Sequence, residues 1–326
     1  MNPFSYTRPR ALGDALKLLK TGRTALAGGT DLITLVRHGI ARPDALVDLT
    51  GIDGLRGIVR EKGQGIRIGA LTALADVEGS ADIGRLLPIV VQSLRDAATP
   101  QIRNAGTVGG NLLQRNRCWY FRDEGVICWL KGGTRCFAVD GENRYHAVAG
   151  AHECWMVSPS DLAPALIACD AEIEIASSVG KRRMRLAELF VAPHGRERRE
   201  HALRAGELIT AVRIPEKSLE RRGTYLKAME RKAWSFAIVS VAATARLSSK
   251  DGKASDARLV LGGIAPVPWR VPAAEKLLEG STLDDNTCLA AADALLESAE
   301  PLRDNGYKIT LARELVRRAL RSLRDA

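Results

Sequence analysis

Hydrophobic residues recur with a regular spacing in the first part of the chain. Apolar positions three and four apart predict a short surface helix at residues 10–20. Apolar runs predict a strand at residues 25–27 and a buried strand at residues 45–49, with a helix at residues 32–38 between them. We therefore expect a small first subdomain of about residues 1–54.

A second set of elements fills residues 55–218. Short apolar runs bounded by turn residues predict strands at residues 58–60, 65–69, 171–176, 182–186 and 208–215. Helical periodicity predicts helices at residues 71–77 and 86–98, the second ended by Thr99 and Pro100. These elements indicate a second, larger subdomain.

The last third of the chain has a different order. A charged segment at residues 216–222 marks the expected domain boundary. Beyond it we predict strands at residues 224–229 and 257–262, a long apolar element at residues 236–247, and helices beginning at Ala273, Asp284 and Thr310. That order predicts an antiparallel sheet with helices on one side, so the fold class is α+β, with domains at residues 1–218 and 219–326.

Composition and charge narrow the function classes. The chain is 46% hydrophobic and 26% charged, which is ordinary for a globular protein, and its net charge of +10 suits nucleic acid, anionic cofactors or an acidic partner. Only 5% of residues are aromatic and none interleave with basic residues, which disfavours nucleic-acid binding. There is no membrane-spanning apolar run and no signal sequence at Met1. We expect a cytoplasmic chain, or a periplasmic one exported with a signal-bearing partner.

Two glycine-rich loops are the first candidate site. The segment Ala27, Gly28, Gly29, Thr30 and Asp31 joins a predicted strand to a predicted helix, which is typical of phosphate sites and also of plain tight turns. A second loop, containing Thr107, Gly109, Gly110 and Asn111, follows about 80 residues later. Two such loops suggest a ligand with two phosphates held from both sides. The G-x-G-x-x-G spacing of a nicotinamide-binding domain is absent.

Four cysteines follow the second loop: Cys118, Cys128, Cys136 and Cys154. Four thiolates can bind zinc or an iron–sulfur cluster. The spacing is wide and lacks C-x-x-C knuckles, which favours a four-iron cluster; zinc and free or paired cysteines are the alternatives. His146 or His152 could replace a ligand. Cys169 and Cys288 lie in apolar surroundings and are interpreted as buried hydrophobic residues.

Four segments together resemble the FAD-binding subunit of the xanthine dehydrogenase (molybdenum hydroxylase) family: residues 27–32, 103–112, 160–166 and 261–266. The resemblance covers nearly the whole chain. It implies a two-subdomain FAD-binding domain of the vanillyl-alcohol-oxidase (PCMH-like) type at residues 1–218, with an iron–sulfur insertion at residues 113–157. It also implies a C-terminal domain like that of CO dehydrogenase flavoproteins at residues 219–326.

The insertion resembles that of family members whose flavin subunit carries an extra 4Fe-4S cluster. Residues 117–123, 141–147 and 152–154 look more like the periplasmic aldehyde oxidoreductase type than the 4-hydroxybenzoyl-CoA reductase type. This likeness implies a heterotrimer with a large molybdenum-cofactor subunit and a small 2Fe-2S subunit, in which this chain passes electrons through FAD to an external acceptor. The alternatives are the flavin subunit of a 4-hydroxybenzoyl-CoA reductase, of an N-heterocycle dehydrogenase or of a xanthine dehydrogenase. A more remote alternative is a zinc-stapled basic binding protein.

The resemblance also implies roles for individual residues. Ala27, Gly28, Gly29, Thr30, Asp31, Thr107, Gly109, Gly110 and Asn111 are expected to hold the FAD pyrophosphate. Asp161 is expected to bind ribityl or ribose hydroxyls, and Lys227 to lie near the flavin, unless it is a surface lysine. Cys118, Cys128, Cys136 and Cys154 are expected to bind the cluster. No side chain is expected to be catalytic, and the substrate and the acceptor stay open because the substrate pocket belongs to another chain.

Overall fold

The structure is a computed structural model that describes residues 3–232 and 234–325.

The first subdomain is a small parallel sheet with two helices. Strands β1 (Ser5–Thr7), β2 (Thr24–Leu26) and β3 (Ala45–Asp48) pair in the order β1-β3-β2, with helices α1 (Leu12–Lys20) and α2 (Leu32–Arg37) between them. Leu16 and Leu19 of α1 share a buried cluster with Val47 of β3. The predicted helices and strands are confirmed, and β1 was not predicted.

The second subdomain contains an antiparallel sheet in the order β4-β5-β8-β6-β7. Its strands are β4 (Ile58–Glu61), β5 (Gly65–Gly69), β6 (Glu172–Ser177), β7 (Gly180–Arg185) and β8 (Leu208–Pro215). Its helices are α3 (Leu74–Glu78), α4 (Ala81–Leu86), α5 (Pro88–Arg95), α6 (Pro100–Ala105), α7 (Val108–Leu112), α8 (Trp119–Arg122) and α9 (Leu162–Ala168). All five predicted strands are present.

The helix predicted over residues 86–98 is shorter than expected. Helix α4 ends at Leu86 and α5 begins at Pro88. Proline has no backbone N–H for a preceding turn, but it fits the first turn of a new helix. At the other end α5 stops at Arg95, and Ala98 has a positive φ of 55°. The predicted helix at residues 71–77 likewise begins only at Leu74.

The C-terminal part is an antiparallel sheet packed against helices, which confirms the predicted α+β class. Strands β9 (Arg222–Ala228), β10 (Val239–Leu247) and β11 (Ala254–Gly262) pair in the order β11-β10-β9, beside helices α10 (Pro272–Lys276), α11 (Asp285–Leu296) and α12 (Tyr307–Asp325). The segment predicted as a charged linker forms a 3-10 helix at Glu216–Glu220 and runs directly into β9. Within the part of the chain that the structure describes, we find no helix with the length and apolar character needed to cross a bilayer.

One hydrophobic core joins the two parts of the chain. Tyr225 of β9, Ala242 of β10 and Val260 of β11 belong to the same buried cluster as Ile89 of α5 and Leu166 of α9. Burying a large aliphatic side chain contributes about 1.5–3 kcal/mol. The C-terminal sheet is therefore packed firmly against the second subdomain.

Lys308 of α12 fastens the C-terminal part to the cysteine-containing segment. Its ammonium group is buried and donates to three backbone carbonyls, at 2.8 Å to Tyr145, 3.0 Å to His146 and 2.7 Å to Gly263. Burial lowers the pKa of Lys308 to about 7. Three carbonyl acceptors satisfy all three N–H groups of a lysine, which is what a buried polar group requires.

Candidate functional site

The two glycine-rich loops lie against each other. A methyl group on Gly28 would overlap the carbonyl oxygen of Ala105 at the end of α6. Gly29 next to it has a φ of +73°, a conformation that favours glycine. The loop between β2 and α2 therefore needs both glycines to approach the loop between α6 and α7.

The backbone amides of the two loops differ in their availability. Over residues 3–232 and 234–325, the amides of Gly28, Gly29, Thr30 and Asp31 donate to no other protein atom. In the second loop, by contrast, the Gly109 amide donates to the carbonyl of Ala70 at 2.8 Å, and other amides are also used within the protein. The free donors for an anion therefore come from the first loop.

A cavity of about 420 Å³ opens between the loops. Six of the predicted binding residues line it: Thr30, Asp31, Thr107, Gly110, Asn111 and Asp161. Among the described residues, the lining does not include Ala27, Gly28, Gly29, Gly109 or Lys227. Ala27 packs against the buried cluster that contains Leu16, Leu19 and Val47, and Gly109 lies close to the backbone of Ala70. Both residues therefore support the cavity wall without lining it.

The second loop is tied to the turn that carries Asp161. The Ser160 hydroxyl donates to Asn111 Oδ1 at 2.6 Å and accepts from the Ala163 amide at 3.0 Å. Thr107 Oγ1 accepts from the Gly110 amide at 3.1 Å and so caps the short helix α7. These bonds fix the polar side of the cavity before any ligand binds.

Asp31 is held by arginines of the segment that follows the second loop. Its carboxylate accepts from Arg117, from Arg122 Nη2 at 2.9 Å and from the Arg115 amide at 2.8 Å. Burial acts to raise the pKa of Asp31, but Arg117 and Arg122 outweigh it and hold the pKa below its usual value. Both arginines line the cavity, so the polar end carries net positive charge.

Two aromatic residues that the sequence reasoning missed form an apolar side of the cavity. Trp234 is 60% exposed and Phe236 is 48% exposed, and both line it. The Arg117 guanidinium lies 4.9 Å from the centre of the Phe236 ring. Exposed aromatic residues at a cavity suit a planar ring ligand. The signal for them was the pair of aromatic residues Trp234 and Phe236, which lie just before and at the start of the apolar element predicted at residues 236–247.

Asp161 and Lys227 form a buried ion pair. Lys227 Nζ donates to Asp161 Oδ2 at 2.9 Å and to the Asp96 carbonyl at 2.7 Å, and its side chain is fully buried. The Tyr225 hydroxyl donates to Asp161 Oδ1 at 2.8 Å. Burial raises the pKa of Asp161, while Lys227 opposes that shift. Lys227 is therefore not a surface lysine, and it reaches the cavity only through Asp161.

Replacing Lys227 with methionine is expected to destabilise the protein by about 3–5 kcal/mol, since it leaves the buried Asp161 carboxylate without its partner. Urea unfolding followed by circular dichroism measures the change. Lys250→Met, at an exposed turn position, is the matched control and should leave the midpoint unchanged. The double variant Asp161→Asn with Lys227→Met should recover part of the loss; equal midpoints for Lys227→Met and wild type would contradict the ion-pair assignment.

The four cysteines surround one small cavity. Cys118, Cys128, Cys136 and Cys154 all line it, together with apolar side chains including Phe121, Trp129, Leu130, Phe137 and Met156. All six cysteines of the chain are free thiols, and Cys169 and Cys288 are buried elsewhere, as predicted. The fold thus brings together four side chains that are widely spaced in the sequence.

Local structure fixes the thiols. The Cys118 amide donates to Asn116 Oδ1 at 3.1 Å just before α8. Cys128 begins a tight turn in which Gly133 has no room for a side chain beside Ile127. Burial raises the pKa of Cys118 to about 12, and the nearby thiols Cys136 and Cys128 act in the same direction. Such a site suits a positively charged metal centre, which would stabilise the thiolates.

A single metal ion and a four-iron cluster need different arrangements of the candidate ligand side chains. Across the described residues, no group of three or more His, Cys, Asp or Glu side chains is arranged to hold one metal ion. A four-iron cluster places each cysteine on a different iron, so its ligands surround a space instead of converging on a point. His152 and His194 lie at the surface with their ring centres 4.7 Å apart and their planes tilted by 52°. His152 is not among the residues around the cysteines.

Helix α8 lies between the two cavities. Arg122 at its end lines the cavity between the glycine loops, whereas Tyr120 and Phe121 line the cavity between the cysteines. Leu35 of α2 also lines the first cavity and belongs to the hydrophobic cluster that contains Cys128 and Cys154. The two candidate sites therefore share a wall.

Two family models match the chain. One, described as the FAD binding domain in molybdopterin dehydrogenase, matches residues 2–217. The other, described as the CO dehydrogenase flavoprotein C-terminal domain, matches residues 224–323. Together they extend over both parts of the fold.

Individual proteins are similar over almost their whole length. The aldehyde oxidoreductase FAD-binding subunit PaoB of Escherichia coli (strain K12) is 36% identical over 330 residues, with 99% of each chain covered. The carbon monoxide dehydrogenase medium chain of Afipia carboxidovorans is 30% identical, with 97% of this chain and 95% of the relative covered. The solved carbon monoxide dehydrogenase of Hydrogenophaga pseudoflava matches with a TM-score of 0.78 and 26% identity, covering 99% of this chain and 98% of that one.

Proposed function

The chain belongs to the FAD-binding medium subunits of the xanthine dehydrogenase (molybdenum hydroxylase) family, and on that premise we propose that it is the flavin subunit of a molybdenum-dependent aldehyde oxidoreductase. Members of this family are flavoprotein subunits of oxidoreductase complexes. The choice of aldehyde is supported by the 36% identity to an aldehyde oxidoreductase subunit. The observation that carries the proposal is the pair of adjoining cavities, one between two glycine loops and one between four cysteines.

The first cavity has the features that FAD requires. The unpaired amides of Thr30 and Asp31, two residues of the cavity lining, suit a diphosphate together with the guanidinium groups of Arg117 and Arg122. Asp161 lines the same cavity and offers a carboxylate oxygen to sugar hydroxyls, and Phe236 provides an apolar face for a ring. When bound, FAD accepts electrons in pairs or singly and passes them on. The chain itself orients the ring, neutralises the diphosphate and limits access of water.

The lining of the second cavity suits a 4Fe-4S cluster. Four thiols from one segment line it, apolar side chains exclude water, and the backbone amides of Tyr120 and Phe121 point to the Cys118 sulfur. Amide hydrogen bonds to cysteine sulfur and low solvent exposure are the features that set the potential of such clusters. The shared wall of α8 would keep both cofactors within a short distance of each other. By its likeness to the other FAD-binding medium subunits, the chain would have a large molybdenum-cofactor subunit and a small 2Fe-2S subunit as partners.

The test is the cofactor content of the chain produced alone in iron-replete cells. We expect one FAD and four irons per chain, flavin absorbance with a broad iron–sulfur shoulder, and an electron paramagnetic resonance signal of a reduced 4Fe-4S cluster. Flavin without iron would retain the family assignment and remove the cluster. One zinc and no iron would favour the zinc alternative, and a colourless protein would contradict both cofactors.

The aldehyde assignment needs the assembled complex. Coexpression with the proposed molybdenum and 2Fe-2S partner subunits should give a complex whose flavin is bleached by aldehydes under anaerobic conditions. Hypoxanthine is the matched electron donor, because a xanthine dehydrogenase would oxidise it and reduce the flavin. 4-Hydroxybenzoyl-CoA is an electron acceptor, so a reductase of this family would use it to reoxidise a chemically reduced flavin. Bleaching by hypoxanthine but not by aldehydes, or reoxidation of the reduced flavin by 4-hydroxybenzoyl-CoA, would change the substrate class.

A further inference from the structure

A buried histidine touches one of the four cysteine sulfurs. His146 Nε2 lies 3.2 Å from Cys118 Sγ, and the residue is only 3% exposed. Trp119 packs edge-to-face on its ring, with the ring centres 5.1 Å apart. The imidazole therefore has one fixed orientation, with Nε2 toward the sulfur.

The surroundings of Nδ1, the other ring nitrogen of His146, indicate which of the two nitrogens carries the proton. His146 Nδ1 is buried and finds no hydrogen-bond partner among the described residues. A proton on Nδ1 would leave an unpaired buried N–H and would also turn the Nε2 lone pair toward the lone pairs of a cysteine thiolate. A proton on Nε2 leaves only one unpaired atom and makes an N–H···S contact. An imidazolium would carry the same Nε2–H, so the conclusion does not depend on the charge of the ring.

The C-terminal part of the chain holds this histidine in place. The His146 carbonyl accepts from Lys308 Nζ at 3.0 Å and from Asn305 Nδ2 at 3.3 Å. Its amide donates to the Asn143 carbonyl at 2.9 Å. With the backbone fixed on both sides, the ring cannot withdraw from Cys118 when the charge on the sulfur changes.

We infer that His146 donates its Nε2–H to the Cys118 sulfur and thereby raises the reduction potential of the 4Fe-4S cluster, an inference that rests on the proposed function. A hydrogen bond to a cysteine sulfur stabilises the reduced cluster more than the oxidised one, because the reduced cluster carries one more negative charge. His146 is thus a positioning residue that sets a potential. The four cysteines remain the iron ligands.

The test compares His146→Leu with His146→Gln in the full chain carrying both cofactors. Leucine fills similar space without a donor, whereas glutamine retains an N–H that can reach the sulfur. We expect His146→Leu to keep four irons but to be about tenfold harder to reduce, a shift of about 59 mV to more negative potential for a one-electron couple. His146→Gln should lie close to the wild-type potential. Redox titration followed by electron paramagnetic resonance gives the midpoints, and iron and sulfide assays give the cluster content.

A second measurement needs no variant. Electron–nuclear double resonance on the reduced native protein with ¹⁵N-labelled histidine should show one weakly coupled nitrogen and an exchangeable proton near the cluster. A strong coupling, typical of direct coordination, would make His146 a ligand and overturn the inference, as would equal midpoint potentials for wild type and His146→Leu. Absence of iron from the native protein would instead overturn the proposed cluster itself, so the two failures are distinguishable.

Discussion

Gly28→Ala is expected to weaken FAD binding by about 10- to 100-fold. The added methyl group would overlap the backbone carbonyl of Ala105, which cannot rotate away as a side chain would. Forcing extra volume into such a contact costs about 1–3 kcal/mol or more, and each 1.4 kcal/mol corresponds to tenfold in affinity. The clash also moves the four free amides of the first loop away from the second loop. Flavin content per purified chain and a titration of the apoprotein with FAD measure the effect.

Gly13→Ala is the matched control for this substitution. Gly13 lies within α1 and does not need a positive φ, and a methyl group added there would meet no heavy atom within 4 Å. Alanine is the better helix former by about 1 kcal/mol, so this variant should bind FAD normally and unfold slightly later. If Gly28→Ala retained full flavin content, the two loops could not form the cradle described above.

Cys154→Ser is expected to remove the proposed iron–sulfur cluster. The thiol is buried among apolar side chains, and a serine hydroxyl is a poor substitute for a soft thiolate ligand. We expect the iron and sulfide content of the chain to fall from about four each toward zero. FAD should still bind, but more weakly, because Arg117 and Arg122 belong to the same segment and hold Asp31 beside the cavity.

Cys288→Ser provides the control. Cys288 is equally buried, but it lies in α11 and its thiol donates to the Leu283 carbonyl at 3.3 Å, a bond that a serine hydroxyl can also make. This variant should keep its full iron content. A Cys154→Ser protein that kept four irons per chain would show that Cys154 is not a ligand.

Local sequence signals predicted the scaffold well. Short apolar runs located the five strands of the second subdomain and the strands β9 and β11 of the C-terminal sheet, whereas β10 was predicted only as a long apolar element. The paired residues Gly28 and Gly29 located a turn between β2 and α2. The break between α4 and α5 was not predicted, although Pro88 signals it, since proline cannot continue a helix but can begin one. These features depend on interactions between residues a few positions apart, so they can be predicted from short stretches of sequence.

Contacts between residues far apart in the chain could not be predicted from the sequence in this way. Asp31 meets Arg117 and Arg122 across more than 80 positions, and nothing in the spacing of these residues indicates that they pair. Lys227 could equally have been a surface residue until β9 and α9 placed it beside Asp161. Such pairs depend on how whole elements pack, so they become visible only in the folded chain.

The clamp made by Lys308 also orders events during synthesis. A ribosome releases the cysteine-containing segment long before α12, because Lys308 follows Cys154 by more than 150 positions. Until that last helix emerges, the carbonyls of Tyr145 and His146 lack their ammonium partner, and the segment that holds the four cysteines is not yet fastened. Docking of the final helix then fixes the segment, so a metal centre bound by these thiols would enter most easily before translation ends.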